Sequence, residues 1–272
     1  MDARPIGMFD SGFGGLTVAR AVMDLLPSED LVYLGDTARY PYGSRSIEQV
    51  SGYASQIAEH LVSSHDAKLI VVACNTASAA ALDHLGEVVD VPVVGVIEPG
   101  VRALRAATLT GRVGVIGTVG TISSGAYQRA LEELAATGQD AGPELAAVAC
   151  PGFVEFVERG EFDGVEVHVL AQRLLAPVAE AKVDTLLLGC THYPYLARTI
   201  SDVLGADVML VSSADETAFE VRRLIAQTGV GNDPDHTGVH RFETTGDVNR
   251  FEQLGRELLG PELREAAQVE LA

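Results

Sequence analysis

Short runs rich in Val, Ile and Leu alternate with stretches of helical periodicity along almost the whole chain. The candidate strands are "IGMFD" (6–10), "LVYLGD" (31–36), "KLIVVAC" (68–74), "VPVVGVI" (91–97), "RVGVIGT" (112–118), "ELAAVAC" (144–150), "TLLLGC" (185–190) and "DVMLVSS" (207–213). Most are too uniformly apolar to keep one face wet, so both faces of their sheets should be covered. Strands that alternate with helices predict mostly parallel sheets in an α/β fold. One helix is expected from about Ser46 to Val62, with Ile47, Val50, Ala54, Ile57 and Leu61 on one face. Ser46 with Gln49, and Ser213 with Glu216, fit capping boxes. "GVGNDPDHTG" (229–238) reads as a loop before a C-terminal segment.

A faint internal repeat goes further. "IGMFDSGFGGLTVARAV" (6–22) and "VGVIGTVGTISSGAYQRAL" (113–131) both read as strand, Gly-rich turn, helix. Downstream of each lies a strand that ends in a cysteine, Cys74 in "VVACNTASA" and Cys190 in "LLLGCTHYP". Two similar α/β halves meeting face to face are therefore expected, one carrying Asp10 and Cys74 and the other Cys190 and His192. Ligands of open α/β sheets sit beyond the carboxyl ends of the strands, so both cysteines should reach one shared cleft.

Composition narrows the function. The formal net charge of −19 argues against a nucleic-acid partner, which needs clustered Lys and Arg. No apolar run reaches membrane-spanning length, and "MDARPIGMFD" has no signal-peptide core. Three cysteines without CxxC spacing suggest neither a disulfide framework nor a metal site. A cytoplasmic protein with free thiols is expected.

Single motifs are weaker. "FDSGFGGLT" (9–17) places Asp10 at a strand end before Gly12, Gly14 and Gly15, a loop able to face an anion or simply a tight turn. It is neither a dinucleotide fingerprint nor a P-loop. "GDTARYPYGSRS" (35–46), led by Asp36, is a substrate-covering loop or a surface connection. Cys150 reads as a small buried hydrophobe. Cys74 and Cys190 differ, because a strand end beside helical N–H groups should lower a thiol's pKa. Asn75 and Thr76 follow the first, Thr191 and His192 the second, and His192 is placed to take or return a thiol proton.

Two such thiols suit a reaction that inverts a stereocentre, one base on each face of the carbon. Pyridoxal phosphate would need a Schiff-base lysine, and neither Lys68 nor Lys182 lies in a Gly-rich or Cys motif. Without a cofactor, the carbanion must be stabilised by preorganised donors, a task that fits Ser11, Asn75, Thr76 and Thr191. A hydrolase needs only one thiol and one base, so a Cys-dependent amidohydrolase using Cys190 and His192, with Cys74 structural, stays open. A binding protein with a dead site is disfavoured by the intact cysteine pair.

With these residues in hand, the chain resembles the glutamate racemases through "GMFDSGFGGLTV", "YLGDTARYPYG", "VACNTASAAALD", "VPVVGVIEPG", "GVIGTVGTISSGAY", "ACPGFVEFVERGEF", "LLLGCTHYPYL" and "VSSADETA", in order over nearly the whole chain. The resemblance implies interconversion of L- and D-glutamate without a cofactor, for peptidoglycan synthesis. It also implies two pseudo-symmetric α/β domains with the site between them, the C-terminal segment returning to the first so that residues 1–97 with 210–272 form one and 98–209 the other, and a homodimer. It assigns acid/base roles to Cys74 and Cys190, with Asp10 and His192 assisting them or binding the substrate amine. Substrate contacts would come from Asp10, Ser11, Pro41, Tyr42, Gly43, Asn75, Thr76, Thr118, Thr121, Thr191 and His192. Asp36 and Glu158 match acidic positions with supporting roles. A sister racemase acting on aspartate is the nearest alternative. Gly152 and Glu155 depart from the family, which often has a bulkier residue and a proline there; this bears on the local shape near Glu158.

Overall fold

A computed structural model describes residues 1–136 and 142–271. The chain starts with β1 (Ile6–Asp10), α1 (Leu16–Leu25), β2 (Leu31–Gly35), α2 (Ile47–His65), β3 (Leu69–Val72), α3 (Asn75–Val88) and β4 (Val93–Gly95). Helix α4 (Ile97–Ala107) leads to β5 (Arg112–Gly117), α5 (Val119–Ser123), α6 (Ala126–Ala136), β6 (Glu144–Ala149) and α7 (Phe153–Glu158). Then follow α8 (Val165–Glu180), β7 (Thr185–Gly189), α9 (Ala197–Leu204) and β8 (Met209–Ser212). Helix α10 (Ser213–Thr228) returns to pack on α1, and β9 (His240–Thr244), α11 (Val248–Leu258) and β10 (Ala267–Gln268) finish the chain.

The strands form two sheets, ordered β10-β9-β2-β1-β3-β4 and β6-β5-β7-β8. Every pairing is parallel. Adding four to each label of β2-β1-β3-β4 reproduces the order of the second sheet, so the repeat read in the sequence is a repeat of topology. Its register repeats too. Phe9 pairs with Val72 and Ile116 with Leu188, and in both halves the cysteine comes two residues after the pair.

The apolar strands are covered on both faces. Along β3, Leu69 and Val71 enter a core with α1 and α10, while Ile70 and Val72 enter the core under α2. All four are buried, and each such side chain contributes about 1.5–3 kcal/mol. In β7, Leu186 and Leu188 face α8 and Leu187 faces α4 and α6. No helix among the described residues is long and apolar enough to cross a membrane.

Several local expectations need correction. Helix α2 carries the Ser46–Gln49 capping box, but Ile47 is 52% exposed, because the first turn projects beyond the sheet that buries Val50, Ala54, Ile57 and Leu61. The cap of α10 is Ser212 rather than Ser213; its hydroxyl accepts from the Ala214 N–H. Strand β8 continues past residue 209 to Ser212, so the second sheet extends beyond the boundary expected there. Strands β9 and β10 have no counterpart in the sequence reading.

Candidate active site

Both sheets point their carboxyl ends at one cleft, and hydrogen bonds cross it. The Asn75 side-chain amide donates to Tyr127 Oη at 2.7 Å. The hydroxyls of Thr76, Thr118 and Thr121 form a triangle with sides of 3.0, 3.1 and 3.0 Å. Thr191 Oγ1 donates to Asp10 Oδ1 at 3.5 Å, and Thr17 Oγ1 donates to the Thr191 carbonyl at 3.5 Å. Gly14 makes this closeness possible. A Cβ at that position would lie 2.4 Å from both His192 Nδ1 and Thr191 Oγ1.

Between the sheets lies a cavity with about 700 Å³ of empty space, part of it open to solvent. Cys74 and Cys190 both line it. From the first half it is also lined by Asp10, Ser11, Pro41, Tyr42, Gly43, Asn75 and Thr76. The second half adds Thr118, Thr191 and His192. Three expected residues stand behind the wall. Thr121 reaches the cleft only through Thr118 and Thr76. Asp36 accepts from Tyr42 Oη, Arg39 Nε at 2.7 Å and Thr245 Oγ1 at 2.7 Å, so it fixes the loop that carries Tyr42. Glu158 Oε1 lies 3.2 Å from His192 Nε2.

The two thiols have different neighbours. Cys74 is the N-cap of α3: its Sγ accepts from the Ala77 N–H at 3.5 Å and donates to Ser11 Oγ at 3.7 Å. The expected lowering of its pKa is not what results. Burial, then the nearby Asp10 charge, push the thiol up to about 12, and the helical N–H only partly offsets them. Cys190 Sγ lies 3.9 Å from His192 Nδ1. Burial alone would lower the His192 pKa, but hydrogen bonding to Cys190 and Glu158 outweighs it and raises the value to about 10. Burial also raises the Asp10 carboxyl, against the pull of His192 and the N–H groups of Gly12 and Gly15.

Sequence reasoning missed part of the wall. Cys150 and Tyr193 line the cavity, and Tyr193 Oη donates to the Cys150 carbonyl at 3.0 Å. Cys150 directly follows β6, the same strand-end signal that singled out the other two cysteines. Tyr40 lines it as well, with a buried hydroxyl that has no hydrogen-bond partner. Gly152 and Glu155 also face the cavity, so the departure noted in the sequence falls on its rim.

Two thiols from opposite halves, an imidazole paired with a carboxylate, and uncharged hydroxyl and amide groups thus line one cleft. The family model for Asp/Glu/hydantoin racemases matches residues 16–221, and the chain belongs to that family of isomerases. More particularly, it is 53% identical over 264 residues to a glutamate racemase of Parafrankia sp., covering 97% of this chain and 93% of that one. The crystal structure of a glutamate racemase isoform from Bacillus anthracis superposes with a TM-score of 0.93 at 42% identity, covering 100% of this chain and 99% of the other. The glutamate racemase of Francisella tularensis, solved in complex with D-glutamate, gives a TM-score of 0.90 at 34% identity over 99% and 98% of the two chains.

Proposed function

We propose that this protein interconverts L- and D-glutamate through two cysteine bases, Cys74 and Cys190, without a cofactor. The observation that carries the reading is that these thiols hold equivalent positions in the repeated topology and line one cavity. The full-length likeness to glutamate racemases supports the choice of substrate. In each turnover one sulfur, as thiolate, takes the Cα proton. The electron pair passes into the substrate carboxylate, and the other sulfur, as thiol, delivers its own proton to the opposite face. The protonation pattern is then reversed, which readies the site for the other enantiomer.

Around this centre, Ser11, Thr76, Thr118 and Thr191 serve the growing negative charge as neutral donors, which stabilise it without neutralising the thiolate. The Asn75 Oδ1, buried and unpartnered, is suited to accept from the substrate ammonium. Asp10 assists on the Cys74 side, and His192, held by Glu158, on the Cys190 side. Tyr42, Gly43 and Pro41 cover the bound substrate. Two units, built around the two sheets, would flank the site. We place the enzyme in the cytoplasm as a homodimer supplying D-glutamate for peptidoglycan.

The test compares L-glutamate and L-aspartate with the purified protein and no added cofactor, followed by loss of optical rotation. Glutamate should turn over, and aspartate should be slower in kcat/KM by about 10–200-fold, the worth of one methylene. Equal rates would favour the aspartate reading. In a parallel assay with L-glutamine, ammonia release in a protein that does not racemise glutamate would favour the amidohydrolase.

A further inference from the structure

Away from the cleft, two imidazoles and a carboxylate meet. His60 and His65 stand near the C-terminal end of α2, and Glu243 stands on β9, paired in register with Leu34 of β2. Leu34 packs in the core under α2, so Glu243 faces that helix too. His60 Nε2 is 3.2 Å from Glu243 Oε2, and His65 Nε2 is 2.9 Å from Oε1. The rings meet edge to face with centroids 5.3 Å apart, and one ligand atom from each residue lies within 4.8 Å of the others.

We infer that His60, His65 and Glu243 bind one divalent transition-metal cation, zinc above all, which clips the end of α2 to β9. Three features point there. Glu243 is 8% exposed, and among the described residues its only ion-pair partners are these two histidines. A buried carboxylate needs a compensating positive charge, and a metal ion supplies one. His65 Nε2 is buried and, although 2.9 Å from the carboxylate, makes no hydrogen bond. That nitrogen is left available as a ligand. His60 has its other nitrogen, Nδ1, 3.4 Å from Ser64 Oγ, the kind of outer contact that orients a ligating imidazole.

The donor set and its spacing choose the ion. Calcium and magnesium ask for oxygen ligands, whereas two imidazoles and a carboxylate suit zinc. With metal bonds of about 2.0–2.2 Å, neighbouring ligands of a tetrahedral zinc lie roughly 3.3–3.5 Å apart. The histidines contact the two carboxylate oxygens at 3.2 and 2.9 Å, and with all three ligand atoms within 4.8 Å of one another small side-chain adjustments bring them to that spacing. The sequence held no metal motif because Glu243 comes to the histidines through the sheet, 183 residues from His60.

The test uses the full-length protein, stripped by a chelator and dialysed against Zn(II) or Co(II). Wild type should bind one equivalent, and melt at a higher temperature with it. The Co(II) form should show tetrahedral ligand-field bands with no thiolate charge-transfer band, which separates this site from the cysteines. H65A and the near-isosteric E243Q should each weaken Zn(II) binding by more than the roughly 10–100-fold lost with an outer-shell partner. Should either variant fail to fold by circular dichroism, the wild type decides: Co(II) should broaden the ring signals of His60 and His65 before any others. Absence of stoichiometric binding, a thiolate band at one equivalent, or unchanged affinity in both variants would overturn the proposal.

Discussion

Cys74 and Cys190 hold the same place in two copies of one topology, yet the two halves surround them with opposite charge. Cys74 sits against Asp10, and burial beside that carboxyl pushes its thiol up to about 12. Cys190 sits against His192, whose pKa of about 10 keeps an imidazolium beside the sulfur at neutral pH. The repeat therefore supplies two equivalent positions, and the substituents break the symmetry. The resting site is biased to keep a proton on Cys74 and to offer a counter-charge at Cys190. In any one turnover one base must be empty while the other is loaded, and the two exchange roles when the reaction runs back.

The largest effect should come from removing either sulfur. Cys74→Ser and Cys190→Ser should each lower kcat for glutamate by about 10²–10⁴-fold, the range for a positioned acid or base. A polarimetric assay checks this. If only the Cys190 change mattered, the two halves would not be partners.

Next comes the glycine that lets the halves meet. In Gly14→Ala the new methyl would stand 2.4 Å from His192 Nδ1 and Thr191 Oγ1. The Cys190 side must then shift, and a displacement near 1 Å costs about 10²-fold in rate. The drop should fall on kcat in steady-state kinetics, and the overpacking, about 1–3 kcal/mol, should lower the melting temperature by a few degrees.

A smaller change sharpens the contrast. Glu158→Gln removes a carboxylate 3.2 Å from His192 Nε2. The charge of a close partner is worth about 1–3 pKa units, so the His192 pKa should fall from about 10. The sign follows from linkage. A pKa raised above the ordinary histidine value gives stability that is complete below about 6.5 and lost as pH rises through about 10. The variant should lose that contribution at lower pH, and its activity should fall earlier on the alkaline side. An NMR titration of the His192 ring reads the shift directly.

Much of this was legible in the chain. β-branched runs identified the central strands, because strands covered on both faces leave continuous apolar sequence. Ser46 and Gln49 marked the start of α2 through local chemistry alone. What escaped depends on tertiary contact. β9 (HRFET) mixes charge with apolar residues, since only Phe242, Glu243 and Thr244 are buried there. β10 is a two-residue edge with no pattern to read. Thr121 was grouped with substrate contacts because motif position does not reveal which side of a wall a residue occupies. Cys150 bore the right signal but looked like any small buried residue, and only the fold places it at the cavity.

The pairing of the two thiols is tested most directly by running the reaction in D2O from unlabelled L-glutamate and reading Cα deuterium in both enantiomers at early conversion. Two separate bases require the D-glutamate formed to carry solvent deuterium while the remaining L-glutamate stays largely unlabelled. Equal deuterium in the two enantiomers from the first turnovers would mean one base serving both faces, and would contradict the pairing of Cys74 with Cys190.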